Sequence, residues 1–238
     1  KTIAEKILSA KSGQDARAGD IVVASLDLTY SHDGNRPLAM ELLESMGTDK
    51  VWDPSKYILF LDHHPSPNAI SAAAHTKLRD FAIAQGCPLF EMGDGISHVV
   101  LPEKGFIAPG DLAIGSDSHS CTGGALAAFT TGVGSTDMAA AMATGQLWMR
   151  VPETILVRCS GRLPARVGAK DLVLEIARRI GADGANGVVG TYLGFEHVAE
   201  GAVALEGNLA FPDGLPSWVQ GRVALCLGLM PGGYGWVF

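Results

Sequence analysis

Five short apolar runs set the strongest limit on how this chain can fold. They are Asp20–Leu28 (DIVVASLDL), Tyr57–Leu61 (YILFL), Leu89–Met92 (LFEM), Asp111–Ile114 (DLAI) and Thr154–Cys159 (TILVRC). A strand with one wet face alternates apolar and polar side chains, whereas a strand covered on both faces does not. These runs therefore predict a mainly parallel sheet between two helical layers, a three-layer α/β/α arrangement. Helical patterns fill the gaps. Pro37 to Met46 opens on a residue suited to a first helical position and stops at Gly47. Asn68 caps a second helix that runs to Gln85 and ends at Gly86, with Ile70, Ala74, Leu78, Phe81 and Ala82 predicted to form its inward stripe. Asp171 to Ile180 spaces Leu172, Ile176 and Ile180 by four and sets Glu175 against Arg179 on another face. The composition changes near residue 183, so residues 1–186 are expected to form the α/β domain. Residues 187–238, rich in Gly and Pro, are expected to pack on it or on a partner, because the apolar end CLGLMPGGYGWVF would be costly to leave in water.

Titratable residues gather where the strands stop. The first run leads to Asp27, His32 and Asp33, the second to Asp62, His63 and His64, the third to Asp94 and His98, and the fourth to Asp117, Ser118 and His119. In open α/β sheets, ligands bind in the crevice beyond the carboxyl ends of the strands. One histidine after a strand is ordinarily a turn residue. Four of the seven histidines at equivalent places point to one shared site.

Other motifs in the chain are weaker. The Gly-rich stretch 122–148 has no Gly-Lys-Ser/Thr and no third Gly of a dinucleotide fingerprint. Its glycines suit either close approach of backbone to a ligand or tight helix–strand packing. Ser135 or Thr136 is expected to cap the helix that follows, and that helix start would favour an anion. Arg36 is the local candidate for pairing with a substrate carboxylate, since a guanidinium binds it through two hydrogen bonds. Cys121, two residues from His119, raises the reading of a thiol nucleophile, but in a Gly-rich loop that spacing need not bring the thiol and the imidazole together. The net charge of −7 without a Lys/Arg block argues against nucleic acid or an anionic membrane as partner. The four cysteines are scattered, with no CxxC pair, and no apolar stretch reaches the roughly 20 residues of a membrane span. The polar start does not resemble a secretion signal, so the expected location is the cytoplasm.

Several segments carry a resemblance to a known family. KTIAEKIL, HDGNRPLA, LDHHPSP, GISHVVLPEKG, the long block GDLAIGSDSHSCTGGALAAFTTGVGSTDMAAAMATGQLWMRVPETI and GRLPARVGAKDLVLEIARRIGADGAN resemble the aconitase superfamily, and most closely the isopropylmalate dehydratase large-subunit branch. The likeness runs over about residues 1–186, and its GSDSHSCTGGAL…GVGSTDMA block is the most specific part. It implies an aconitase-like N-terminal α/β domain and lyase or isomerase chemistry, in which a small hydroxy-carboxylic acid loses and regains water. It implies that Asp62 and His63 assist protonation of the departing hydroxyl, that His98 is a second site histidine, and that Asp117, Ser118 and His119 lie around the substrate. It places His32 as a polar contact, and Asp33, Arg36, Ser135 and Thr136 stand with it as expected substrate-binding residues. A small-subunit-like partner or a homo-oligomer is expected.

The family carries a [4Fe–4S] cluster, but its three cluster cysteines lie downstream of the matched region, so a conventional cluster is not expected on this chain's own cysteines. The alternatives are a mononuclear divalent metal on His63, His98 and His119, metal-free acid–base work by the same His and Asp residues, or a non-catalytic binding module or partner-dependent fragment.

Overall fold

The computed structural model describes residues 1–34, 36–64, 68–159 and 164–180, and the backbone of strands at 202–209 and 224–228. The side chains of residues 36, 37, 155–159, 177 and 180 and of those last two strands lie outside the description. In chain order the elements are α1 Ile3–Ser12, β1 Ile21–Ser25, β2 Leu28–His32, α2 Arg36–Ser45, β3 Tyr57–Phe60, α3 Ala69–Gln85, β4 Leu89–Phe90, α4 Ser97–Glu103, β5 Leu112–Gly115, β6 Phe129–Gly132, α5 Ser135–Thr144, β7 Gln146–Arg150, β8 Ile155–Cys159, α6 Ala169–Ile180, β9 Ala202–Leu209 and β10 Ala224–Gly228. A 3-10 run, Ser120–Leu126, lies between β5 and β6.

The central sheet has the order β4-β3-β2-β5-β6 and is parallel throughout. Successive side chains of β3 explain why its run has no polar member. Tyr57, Leu59 and Leu61 enter one core with Leu8, Leu43, Leu78 and Met138, brought by α1, α2, α3 and α5. Ile58 and Phe60 enter the other core with Val100 and Leu101 of α4. Burying each large apolar side chain stabilises the fold by roughly 1.5–3 kcal/mol, and in this strand both faces contribute. The predicted layers are therefore present.

The chain builds outward from β2 through β3 to β4, then returns to lay β5 on the other side of β2. The direction of winding reverses between β2 and β5. A crevice opens at such a switch, beyond the carboxyl ends of the strands.

The first predicted strand is a correction. Asp20–Leu28 is not one strand: Ile21–Ser25 forms an antiparallel pair with β7, and only Leu28 onward joins the parallel sheet. β1 alternates exposed and buried residues, but its exposed members Ile21 and Val23 are themselves apolar, so the alternation is hidden in the sequence. Asp27 marks the break, accepting hydrogen bonds from Leu112 N–H and Lys11 Nζ.

Helix α3 has the predicted ends. Asn68 accepts from the N–H groups of Ile70 and Ser71, and Gly86 adopts φ 74°. Its inward stripe differs from the prediction. Ile70 is exposed, and the buried face is Ser71, His75, Leu78 and Ala82. α6 carries the predicted Glu175–Arg179 pair at 2.8 Å. The fifth predicted run is also a correction: β8 is not in the central sheet but pairs parallel with β9 in a separate three-stranded sheet, β10-β9-β8, which joins residues before 186 to strands after 187. The rest of the segment 187–238 lies outside the described residues, apart from β10.

Candidate active site

β2 ends in His32, buried at the winding switch. Its Nδ1 accepts the Gly34 N–H at 3.0 Å, so that nitrogen bears a lone pair. Nε2 then carries the proton and faces the Ser116 carbonyl at 3.4 Å. Burial disfavours a charge on this ring, the neighbouring His63 adds repulsion, and its pKa falls to about 4. His32 is a neutral imidazole.

His63 stacks on it, with centroids 3.5 Å apart and planes 21° from parallel. Its surroundings are opposite in character. Nδ1 lies 2.6 Å from Asp62 Oδ1, and Nε2 lies 3.6 Å from Asp117 Oδ2. Burial opposes charge here too, but Asp117 and Asp62 outweigh it and raise the pKa to about 9. His63 is an imidazolium at neutral pH, with 27% of its side chain exposed to the crevice. Asp62 is fixed from behind by the Ser97 N–H at 2.7 Å, at the first residue of α4. Burial works to raise the pKa of Asp62, and the bonds from His63 and Ser97 lower it overall.

Asp117 follows β5 and is the hub of the other side. It accepts from His98 Nε2 at 2.9 Å, Ser120 Oγ at 2.5 Å and the His119 N–H at 3.0 Å. Desolvation works to raise its pKa, yet His119, His63 and His98 hold the carboxyl far below the usual range. The His98 ring lies 6.4 Å from His63 and 6.0 Å from His119, centroid to centroid. Ser118 Oγ lies 3.2 Å from His119 Nδ1. The four predicted imidazoles thus meet in one crevice, with Asp62 and Asp117 among them.

Other predicted residues are placed differently. The Asp33 side chain is 1% exposed, and both its oxygens accept bonds from protein donors: His63 N–H, His64 N–H and His75 Nε2. It faces the protein interior and holds the loop after β3, a place that does not suit the substrate contact expected from the sequence. Ser135 and Thr136 open α5, but the cap residue is Gly134 and no side chain caps that end, which corrects the expected capping role. Neither residue bonds to the histidines among the described residues. Arg36 opens α2, and its side chain lies outside the description.

The glycines here serve packing. A Cβ on Gly132 would lie 2.0 Å from the Asp117 carbonyl oxygen, and one on Gly115 would lie 2.0 Å from Ser120 Oγ. Only glycine lets β6 and the 3-10 run approach the Asp117 loop so closely. Ser97, Ser120 and His75 support the site without having been singled out in the sequence. Ser97 and Ser120 adjoin His98 and the DSH triplet and were legible as neighbours; His75 had no such signal.

Two donor sets fit a metal ion by distance: His63, His98 and Asp117, and His32, Asp33 and His63, with one atom from each residue within 4.8 Å of the others. Asp117 takes the place expected for His119 in the first. An iron–sulfur cluster needs three or four thiolates. The described thiols are Cys87 and Cys121, both buried; Cys87 belongs to the apolar core and Cys121 lies beside the DSH triplet. The side chains of Cys159 and Cys226 lie outside the description. The two described thiols are fewer than a cluster needs.

No helix among the described residues is long and apolar enough to cross a membrane. The aconitase family (aconitate hydratase) matches residues 5–203. The chain is 52% identical over 202 residues to 3-isopropylmalate dehydratase large subunit 1 of Methanopyrus kandleri, covering 84% of this chain and 47% of that protein. It is 49% identical over 218 residues to the 3-isopropylmalate dehydratase large subunit of Moorella thermoacetica, covering 89% of this chain and 51% of that one. A probable large subunit of the same enzyme from Methanothermobacter thermautotrophicus is 47% identical, covering 85% and 49%. The chain spans about half the length of the relatives it matches. With a family match over most of its length and relatives at this level of identity, the chain belongs to the aconitase family.

Proposed function

We propose that the chain carries the acid–base residues of a hydro-lyase that removes water from a small hydroxy-carboxylic acid and returns it. The relatives' names, 3-isopropylmalate dehydratase large subunit, support a hydroxy-dicarboxylic acid of that kind as the substrate and a smaller second subunit as the partner. The carrying observation is His63 held between Asp62 and Asp117, partly exposed, with its Nε2–H 3.6 Å from Asp117 and so without a short hydrogen bond on that side. A hydroxyl is a poor leaving group until it is protonated. An imidazolium that two carboxylates hold in place delivers that proton; the C–O bond breaks with its electron pair on the departing water, while the C–H pair of the neighbouring carbon becomes the second bond of the C=C and its proton passes to a general base. Asp62 keeps the ring oriented and stabilises its charge. Asp117 does the same from the other nitrogen while binding His98. His32, neutral and buried, serves as the flat surface against which His63 rests.

The test is turnover of hydroxy-dicarboxylic acids by the protein together with a small-subunit partner, read by the ultraviolet absorbance of the unsaturated product. His63→Gln should abolish turnover and leave substrate binding in place. Neither turnover nor binding of any such acid by the partnered protein would defeat the reading and favour a non-catalytic module.

A second reading rests on the His63, His98 and Asp117 donor set, which suits a single zinc, iron or manganese ion. Stoichiometric metal without sulfide in purified protein, lost in His98→Ala, supports it. Activity that survives thorough chelation excludes it.

A further inference from the structure

Residues 62–64, just after β3, have few backbone hydrogen bonds among the described residues, although the Asp62 side chain is held by the Ser97 N–H. Leu61 N–H makes the last rung, to Phe90 O, and beyond it the N–H groups of His63 and His64 find only one partner among the described residues. That partner is Asp33, whose Oδ1 accepts the first and Oδ2 the second, each at 3.0 Å. Oδ2 also accepts from His75 Nε2 at 2.8 Å. A carboxylate only accepts, so Nε2 of His75 carries the proton. His75 sits on the buried face of α3, 4% exposed, where a helix packed on a sheet ordinarily carries an apolar side chain.

We propose that His75 is a positioning residue for His63. Resting on the hydro-lyase reading, the role is to fix Asp33, which fixes the backbone of residues 62–64, which sets the His63 ring between Asp62 and Asp117. Without the imidazole, Asp33 keeps its charge in a buried place with one donor fewer. It then turns toward other donors or water, and the two loop N–H groups follow it. His63 has a 2.6 Å bond on one edge and a stacked ring on its face, so a small shift of its backbone spoils both. Misplacement of a reacting group by about 1 Å costs on the order of 100-fold in rate.

The experiment compares the full chain with His75→Leu, which keeps bulk and removes the donor, and His75→Gln, whose amide N–H can occupy the same point. His75→Leu is expected to lower kcat on the order of 100-fold with KM unchanged, and His75→Gln to restore most of the rate. Independently of activity, imidazole-labelled NMR should show the downfield His63 Nδ1–H signal moved or broadened in His75→Leu and kept in His75→Gln. If the native protein turns over no hydroxy acid, the hydro-lyase reading fails while the NMR comparison still decides the positioning role. A His63 signal in its native place in His75→Leu overturns the proposal. So does equal loss in both variants when thermal unfolding shows both folded, because that is a packing role. Should His75→Leu fail to fold, His75→Asn, polar but too short to reach Asp33, takes its place with the same outcomes.

Discussion

Raising the pH from about 6.5 to about 9.5 should weaken the folded state through a single ring. His63 has a pKa near 9 in the fold and an ordinary value of 6.5 when unfolded. Its folded value lies above its unfolded one, so its contribution to stability is complete below pH 6.5 and is lost as pH climbs through 9. The gap of about 2.5 pH units, at about 1.4 kcal/mol each, sets that contribution at about 3 kcal/mol. His32 has the opposite sign. Its folded value is about 4, so the unfolded chain takes up a proton that the fold resists, and stability falls as pH drops from 6.5 toward 4 by a similar amount. Stability should therefore peak near pH 6.5 and decline on both sides. Urea unfolding in chelator-treated buffer across this range measures it. His63→Gln should flatten the alkaline limb and keep most of the acid limb, since burial is the larger cause of the low His32 value and the His63 charge the smaller. A native protein as stable at pH 9.5 as at 6.5, or a His63→Gln variant that keeps the alkaline slope, would refute the charge assignment.

Asp117→Asn removes one of the two carboxylates facing His63, and an imidazole NMR titration should show its midpoint fall from about 9 toward 6.5; an unmoved midpoint would mean that Asp62 alone sets it. Gly132→Ala places a Cβ against the Asp117 carbonyl and should cost about 1–3 kcal/mol in urea unfolding, whereas Gly134→Ala meets nothing within 4 Å and should cost less, only the preference for Gly over Ala at the α5 cap. Asn68→Ala removes a cap that accepts two N–H groups and should lower stability by about 1 kcal/mol, with Asn68→Ser close to native in the same measurement.

The sheet was legible because β3 is buried on both faces, and burial of that kind leaves no polar residue to obscure the run. The ends of α3 were legible for a local reason: Asn68 and Gly86 act within one turn of themselves. The boundary between β1 and β2 was not, because Ile21 and Val23 are apolar yet exposed, and composition cannot tell which face meets water. β6 was hidden in the Gly-rich stretch, since its glycines answer to a contact with the Asp117 backbone that only the fold creates. The four imidazoles were found because each follows a strand. His75 was missed because a stripe drawn by hydropathy passes over a polar residue, even one that points inward. Its partner Asp33 lies 42 positions away in sequence.

Two chemically identical rings 3.5 Å apart hold opposite charge states, and the difference lies in what meets their edges. His32 offers a lone pair to a backbone N–H and its one proton to a carbonyl, both neutral partners. His63 meets a carboxylate at each nitrogen. Burial is the larger reason that His32 stays neutral, and repulsion from the charge of His63 across the stack adds to it. Only one ring of the pair can therefore act as a proton donor near neutral pH, and it is the one that is partly exposed. Asp33 Oδ1 comes within 4.0 Å of His32 Nδ1, but that nitrogen is taken by the Gly34 N–H and both Asp33 oxygens by the His63 N–H, the His64 N–H and His75 Nε2, so no carboxylate pairs with His32.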